Sequence, residues 1–366
     1  MNFSNYMDNT NEEVKKNLLY ASFNQTHDCV IFGTDTGFYV YTLDPFKKII
    51  ARKIVGGVSI VKMLYKSNII IFVGNVNKGL YPNKKLIIWD DHKSEVIGEI
   101  SFKYQILNVK VTRDIIVVVT EFKIYVYNFQ SLSLIKSIET ISNIKGLCSI
   151  TDGDVSFIAY PGNNSGDIFI TKHNSDFLKI VNAHLSDVEL FNMDDGGKYI
   201  ATASKKGTLI RIYDIDKCKL RKEVRRGSDQ VQIVDLKFNN DCKYVLCTSH
   251  KGTIHIFNTN LDNEEILNDN ESMVTKINSG IGYGVDYFTD YLPEYFSSEW
   301  SFMQFYLNDI ITYSLFINNT KEIISIGNNG CYYTLSFNND ETVIDSTYKF
   351  VSDEDDPFSD RTSTIK

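Results

Sequence analysis

Two adjacent guanidinium groups, Arg225 and Arg226, stand between two near-copies of one segment. The upstream copy reads Ala201-Thr202-Ala203-Ser204-Lys205-Lys206-Gly207-Thr208-Leu209-Ile210-Arg211, and the downstream copy reads Cys247-Thr248-Ser249-His250-Lys251-Gly252-Thr253-Ile254-His255. Each offers a serine, a Gly-Thr turn and a basic side chain two or three residues later. Hydroxyls, guanidinium forks and imidazoles are the donors that hold a phosphate monoester, and charge-assisted bonds of this kind contribute roughly 1.5–3 kcal/mol each. Two copies point to two phosphate pockets. If the Arg-Arg pair is extended, its side chains leave the strand on opposite faces, so one arginine can serve each pocket. With an ordinary imidazole pKa of ~6.5, His255 is expected to hold phosphate more tightly at about pH 6 than at about pH 7.5.

The local charge agrees with this chemistry. The whole chain carries a net charge of −8, which disfavours nonspecific binding to nucleic acid or to anionic membranes. Between Ser204 and Arg226, however, nine basic residues face three acidic ones. Such an excess on an acidic protein marks a directed anion-binding rim.

The elements that must position these residues are short strands. Apolar, β-branched runs such as Val30-Ile31-Phe32, Ile69-Ile70-Ile71-Phe72-Val73, Ile115-Ile116-Val117-Val118-Val119, Tyr199-Ile200-Ala201-Thr202 and Ile323-Ile324-Ser325-Ile326 each precede a turn and a second strand. Equivalent residues of the second strands, Tyr41, Trp89, Tyr127, Ile170, Tyr213 and Phe257, recur at intervals of roughly 38 to 48 residues, and a seventh, Leu335, follows. Seven repeats of that length, each with four short strands, predict an all-β fold: a seven-bladed β-propeller of WD40-like repeats.

The last interval, from Phe257 to Leu335, is too long by about 35 residues. It predicts an insertion between the third and fourth strands of blade six, bounded near Asn258 and Ser298. This segment starts acidic and turns aromatic. Ile281, Val285, Phe288, Leu292 and Tyr295 follow a helical period, while Pro293 and glycines 280, 282 and 284 oppose a stable helix in water. A segment that orders only at a membrane interface satisfies both facts, and a loop folded back on the propeller is the plainer alternative.

These residues resemble the PROPPIN family, the WIPI-like β-propellers that bind polyphosphoinositides. The likeness extends to Leu86-Ile87-Ile88-Trp89-Asp90-Asp91, Ile124-Tyr125-Val126-Tyr127-Asn128-Phe129, Ile138-Glu139-Thr140, Lys145-Gly146-Leu147-Cys148 and Tyr291-Leu292-Pro293, in family order. Val224 departs from it, since the family usually has Phe there. The resemblance implies a first phosphoinositide site at His184, Ser204, Thr208, Arg211 and Arg225, and a second at Arg226, Ser249, Thr253 and His255. It implies a membrane-inserting loop carrying Tyr287, Phe288, Tyr291 and Leu292. The implied ligands are phosphatidylinositol 3-phosphate and the 3,5-bisphosphate. The implied partners are autophagy proteins, including a lipid-transfer protein and conjugation machinery, meeting blades two and three.

The expected organisation is a polar N-terminal segment at 1–17, the propeller at 18–350 and an acidic tail at 351–366. No apolar run approaches the ~20 residues that span a bilayer, and the first residues are too polar for a signal peptide. The expected location is the cytoplasm, peripheral to autophagosomal, endosomal or vacuolar membranes, as a monomer in solution. The six cysteines form no Cys-x-x-Cys pair, so no metal, cofactor or disulfide framework is expected. Asp90-Asp91 reads as a turn cap. No nucleophile elbow, P-loop or His-Glu-x-x-His is present, and no enzymatic activity or nucleic-acid ligand is expected. A propeller that binds only proteins is the alternative, and Arg225-Arg226 with its duplicated flanks argues against it.

Overall fold

The computed structural model describes residues 17–75, 79–153, 155–261, 298–307, 309–317, 321–328, 330–337 and 342–349. Seven antiparallel sheets follow one another along the chain, each with four strands in sequence order, and one carries a fifth. The fold is a seven-bladed β-propeller. In each sheet the first strand is innermost and contacts the first strand of a neighbouring blade, as Leu18–Phe23 does with Val58–Met63 and Val188–Met193 with Ile233–Phe238.

The apolar runs read from the sequence are the second strands. Ile115–Val119 is buried along its whole length, because a blade packed between two others has two apolar faces. Outer strands such as Glu95–Ser101 are largely exposed.

Among the described residues the four main strands of every blade come in sequence order from one stretch of chain, and blades one and seven share no strand. The ring closes instead by packing of side chains. Ala21, Phe23, Val30, Phe32 and Tyr41 of blade one form one core cluster with Leu315, Ile324, Ile326 and Tyr332 of blade seven. The rings of Phe46 and Tyr332 stack across this seam, 4.3 Å between centroids.

Blade six consists of Ile233–Phe238, Tyr244–Ser249, Thr253–Asn258 and Met303–Tyr306. The insertion therefore lies between its third and fourth strands, as the repeat spacing predicts. Residues 262–297, including Tyr287, Phe288, Tyr291 and Leu292, lie outside the described residues, as do 1–16 and 350–366. Asp90 caps the turn after its strand, its Oδ1 accepting the backbone N–H groups of His92 at 3.0 Å and Lys93 at 3.2 Å. Asp91 pairs with Arg52 at 2.9 Å.

Candidate functional site

Blade five comprises Val188–Met193, Tyr199–Ser204, Leu209–Asp214 and Lys219–Arg225. The duplicated segments form matching turns at the same edge of blades five and six. The Gly207 N–H donates to Ser204 O at 2.8 Å, and the Gly252 N–H donates to Ser249 O at 3.1 Å. Both glycines have positive φ, 63° and 80°, where a side chain is strained. Each also meets the segment leading to the next blade: a Cβ on Gly207 would stand 1.9 Å from Val231 O, and one on Gly252 2.2 Å from Leu307 O. Across the second turn the hydroxyls of Ser249 and Thr253 lie 2.5 Å apart.

The two arginines part at the end of the strand. Arg225 is buried at the end of the outer strand of blade five, opposite Leu209. Arg226 leaves the strand, its N–H donating to Thr208 O at 2.8 Å. Its guanidinium turns along the blade boundary: Nε donates to Gly207 O at 2.9 Å and Nη2 to Asp229 O. Burial lowers its pKa, and it lies within electrostatic reach of Cys247 and His255 on blade six.

His255 is buried, with Nδ1 3.2 Å from Ser301 Oγ and its ring stacked on Phe257. Burial, followed by the charge of Arg226, holds its pKa down to about 4. This corrects the expected pH response, because the imidazole of the free protein stays neutral at about pH 6. The structure thus gathers Arg226, His255, Ser249 and Thr253 along one boundary.

The other group is arranged differently from expectation. His184 is half-buried, and its Nε2 lies 3.0 Å from Thr202 Oγ1 rather than bonding Ser204 or Thr208. Its pKa is also about 4, through burial and then Arg211. Its backbone passes so close to Gly166 that a Cβ there would meet His184 O at 1.6 Å. Arg211 donates through Nε to Glu223 Oε2 at 2.8 Å and through Nη1 to Ala183 O at 2.9 Å. Glu223, which the sequence did not single out, therefore holds the Nε side of this guanidinium.

The far end of the insertion connects the two groups. Glu299–Trp300 adds a short parallel strand to blade five, pairing with Val224 and Arg225. Ser298 Oγ donates to Glu223 Oε1 at 2.9 Å, and Lys222 Nζ pairs with Glu299 at 2.6 Å. One residue further, Ser301 reaches His255, and the chain then enters the fourth strand of blade six. Trp300, Phe302 and Tyr306 are 49%, 40% and 71% exposed along this edge. The basic residues of 204–226 are not one patch, since Lys219 lies about 20 Å along the outer strand from Arg225, and Lys217 lies in the turn that precedes that strand.

A family model described as PROPPIN matches residues 17–309. Autophagy-related protein 18e of Arabidopsis thaliana is 36% identical over 260 residues, 69% of this chain and 70% of that protein. Autophagy-related protein 18 of Dictyostelium discoideum is 31% identical over 251 residues, 68% of this chain and 67% of that protein. The crystal structure of Kluyvelomyces marxianus Hsv2 superposes with a TM-score of 0.72 at 22% identity, covering 91% of this chain and 99% of that one. A complex of KlAtg21 with the coiled-coil of AgAtg16 superposes with a TM-score of 0.69 at 22% identity and the same coverage.

Proposed function

The chain belongs to the PROPPIN family, and from that premise we propose that it is a peripheral membrane scaffold that binds 3-phosphorylated phosphoinositides at two sites on its rim. The observation that carries this reading is the pair of matching Ser-x-x-Gly-Thr turns on adjacent blades, with Arg225 ending the outer strand of the first blade and Arg226 at the boundary within electrostatic reach of His255 on the second. The first site comprises His184, Ser204, Thr208, Arg211 and Arg225, and the second Arg226, Ser249, Thr253 and His255. The ligands are phosphatidylinositol 3-phosphate and the 3,5-bisphosphate. Exposed Trp300, Phe302 and Tyr306 beside the sites suit the headgroup region of a bilayer, where amphipathic rings concentrate. The inserted segment with Tyr287, Phe288, Tyr291 and Leu292 adds apolar anchoring to the headgroup contacts.

In this role the protein works in autophagy or on a related organelle membrane, recruiting other proteins from the cytoplasm. A coiled-coil partner of the kind captured with KlAtg21, or a lipid-transfer protein, fits the scaffold. The propeller body is read as 18–350, with 1–17 and 351–366 outside it.

Flotation on liposomes containing the 3-phosphate lipid tests the proposal. Arg225→Thr or Arg226→Thr alone weakens binding, and the double change nearly abolishes it through lost avidity. One observation favours the protein-only alternative, the capture of Arg211 by Glu223. If the folded double variant floats as well as the wild type, that alternative stands and the two-site reading falls.

A further inference from the structure

Three lysines reach the axis of the propeller at one height. Lys62, Lys110 and Lys237 lie on the innermost strands of blades two, three and six, Val58–Met63, Asn108–Val111 and Ile233–Phe238. Their partners on the second strands are Ile71, Val117 and Leu246. Each partner is the third residue of its strand, so the register places the three lysines at the same level. By the same register, blades one, four and five contribute Ser22, Ser149 and Asn192, and blade seven contributes Leu315. No carboxylate belongs to this level.

The carboxylate nearest in register is Asp235, opposite the fifth residue of its partner strand. Its Oδ2 accepts the Ser314 N–H at 3.1 Å and its Oδ1 the Leu236 N–H at 3.0 Å, and this one carboxylate acts on all three ammonium groups. Lys237 Nζ donates to Tyr313 OH at 3.2 Å, and Lys62 Nζ rests 5.1 Å above the Tyr20 ring. Among the described residues neither Lys62 nor Lys110 has an ion pair. All three lysines are half-buried, enclosed by blades yet reachable from the axial channel.

Surplus positive charge in such a place is costly. Burial holds the ammonium groups of both Lys62 and Lys110 below the usual lysine range; Lys237 adds to this at Lys62, and Lys62 and Lys237 at Lys110, while Tyr313 opposes the shift at both and Asp235 at Lys62. A ligand that gains from this arrangement must bring several negative charges to one point on the axis. A phosphate group does so, and the neighbouring hydroxyl and amide groups suit its oxygens.

We propose that the axial channel is a second kind of anion site, in which Lys62, Lys110 and Lys237 hold a multivalent phosphate-bearing ligand independently of the rim. The ligand is a soluble phosphate, free or carried on an inositol ring, because a lipid headgroup on a bilayer cannot enter the ring of blades.

The test uses the full chain with Arg225→Thr and Arg226→Thr, which removes the rim arginines. Thermal melts are recorded with inorganic phosphate, with inositol hexakisphosphate and with chloride at matched ionic strength. The midpoint rises by several degrees with at least one phosphate ligand and not with chloride. The rise disappears when Lys62→Met and Lys110→Met are added, and the lysine variant melts higher than its parent in chloride. A response to inorganic phosphate identifies the free ion, and a response to the hexakisphosphate alone identifies the inositol-borne form. If phosphate matches chloride, or the lysine variants keep the full rise, the site does not exist. Should the double lysine variant fail to fold, Lys110→Gln alone is read the same way, and an unchanged rise overturns the proposal. Because these ligands are soluble and the rim arginines are absent, loss of liposome flotation bears only on the rim.

Discussion

Glu223→Gln decides whether Arg211 is a phosphate ligand or a strut. The Arg211–Glu223 pair is 2.8 Å long, with side chains 28% and 22% exposed. Two unit charges about 4 Å apart interact by about 4 kcal/mol at an effective dielectric of 20, while exposed pairs yield only about 0.2–1 kcal/mol. Partial exposure places this pair near 1–2 kcal/mol. A headgroup binding at Arg211 must displace that carboxylate or share the guanidinium with it. Glu223→Gln removes the competing charge and leaves a side chain of the same shape, so affinity for soluble inositol 1,3-bisphosphate rises, up to about tenfold for 1.4 kcal/mol. Stability falls by about 1 kcal/mol, because Arg211 and Ser298 lose an ionised acceptor. Calorimetry with the soluble headgroup reads the affinity, with Arg211→Gln as the companion variant, which weakens it. If Glu223→Gln leaves affinity unchanged or lowers it and Arg211→Gln binds like the wild type, Arg211 only fastens blade five to Ala183, and the first site is smaller than proposed.

Gly252→Ala forces a side chain into positive φ and onto Leu307 O; at ~1–2 kcal/mol for the backbone conformation plus the displaced carbonyl, it lowers stability by about 3 kcal/mol, and a melting point equal to the wild type's contradicts the close approach. His255 titrates near 4 in the folded chain against 6.5 when unperturbed, so the unfolded chain takes up its proton first. The resulting stability, about 3 kcal/mol, is complete above about pH 6.5, declines as pH falls and is gone by about pH 4. Denaturant titrations at several pH values check this, and His255→Gln makes the slope over that window shallower; an unchanged slope means another group supplies it.

Much of the fold is legible because a propeller blade is local. Nearly every strand pairs with the next in sequence, so a run such as Ile115–Val119 followed by a turn and Lys123–Asn128 announces itself without knowledge of the rest. The two turns are legible for a related reason, since only glycine tolerates the φ and the closeness found at Gly207 and Gly252. Other features depend on distance or on the closed ring. Glu299–Trp300 is two residues long and joins a strand of another blade, too short for any periodic signal. Lys62, Lys110 and Lys237 belong to separate repeats and meet only because the ring closes.

The position of Glu223 was hidden by a single residue. Counting back from Asp214 opposite Lys219 and Tyr213 opposite Leu220, a regular hairpin sets Arg211 against Lys222, two cations face to face. The register slips between Ile212 and Tyr213, Arg221 is the extra residue of a β-bulge, and Arg211 meets Glu223 instead. The same slip sets Arg225, rather than Val224, opposite Leu209. Blades one, two, three and seven carry a slip at the equivalent place, between Val40 and Tyr41, Ile88 and Trp89, Val126 and Tyr127, and Thr334 and Leu335. The bulge is therefore a property of the repeat and not of the site. In blade five it sets the site's geometry, because it decides both which charge Arg211 faces and where the Arg225-Arg226 pair leaves the strand.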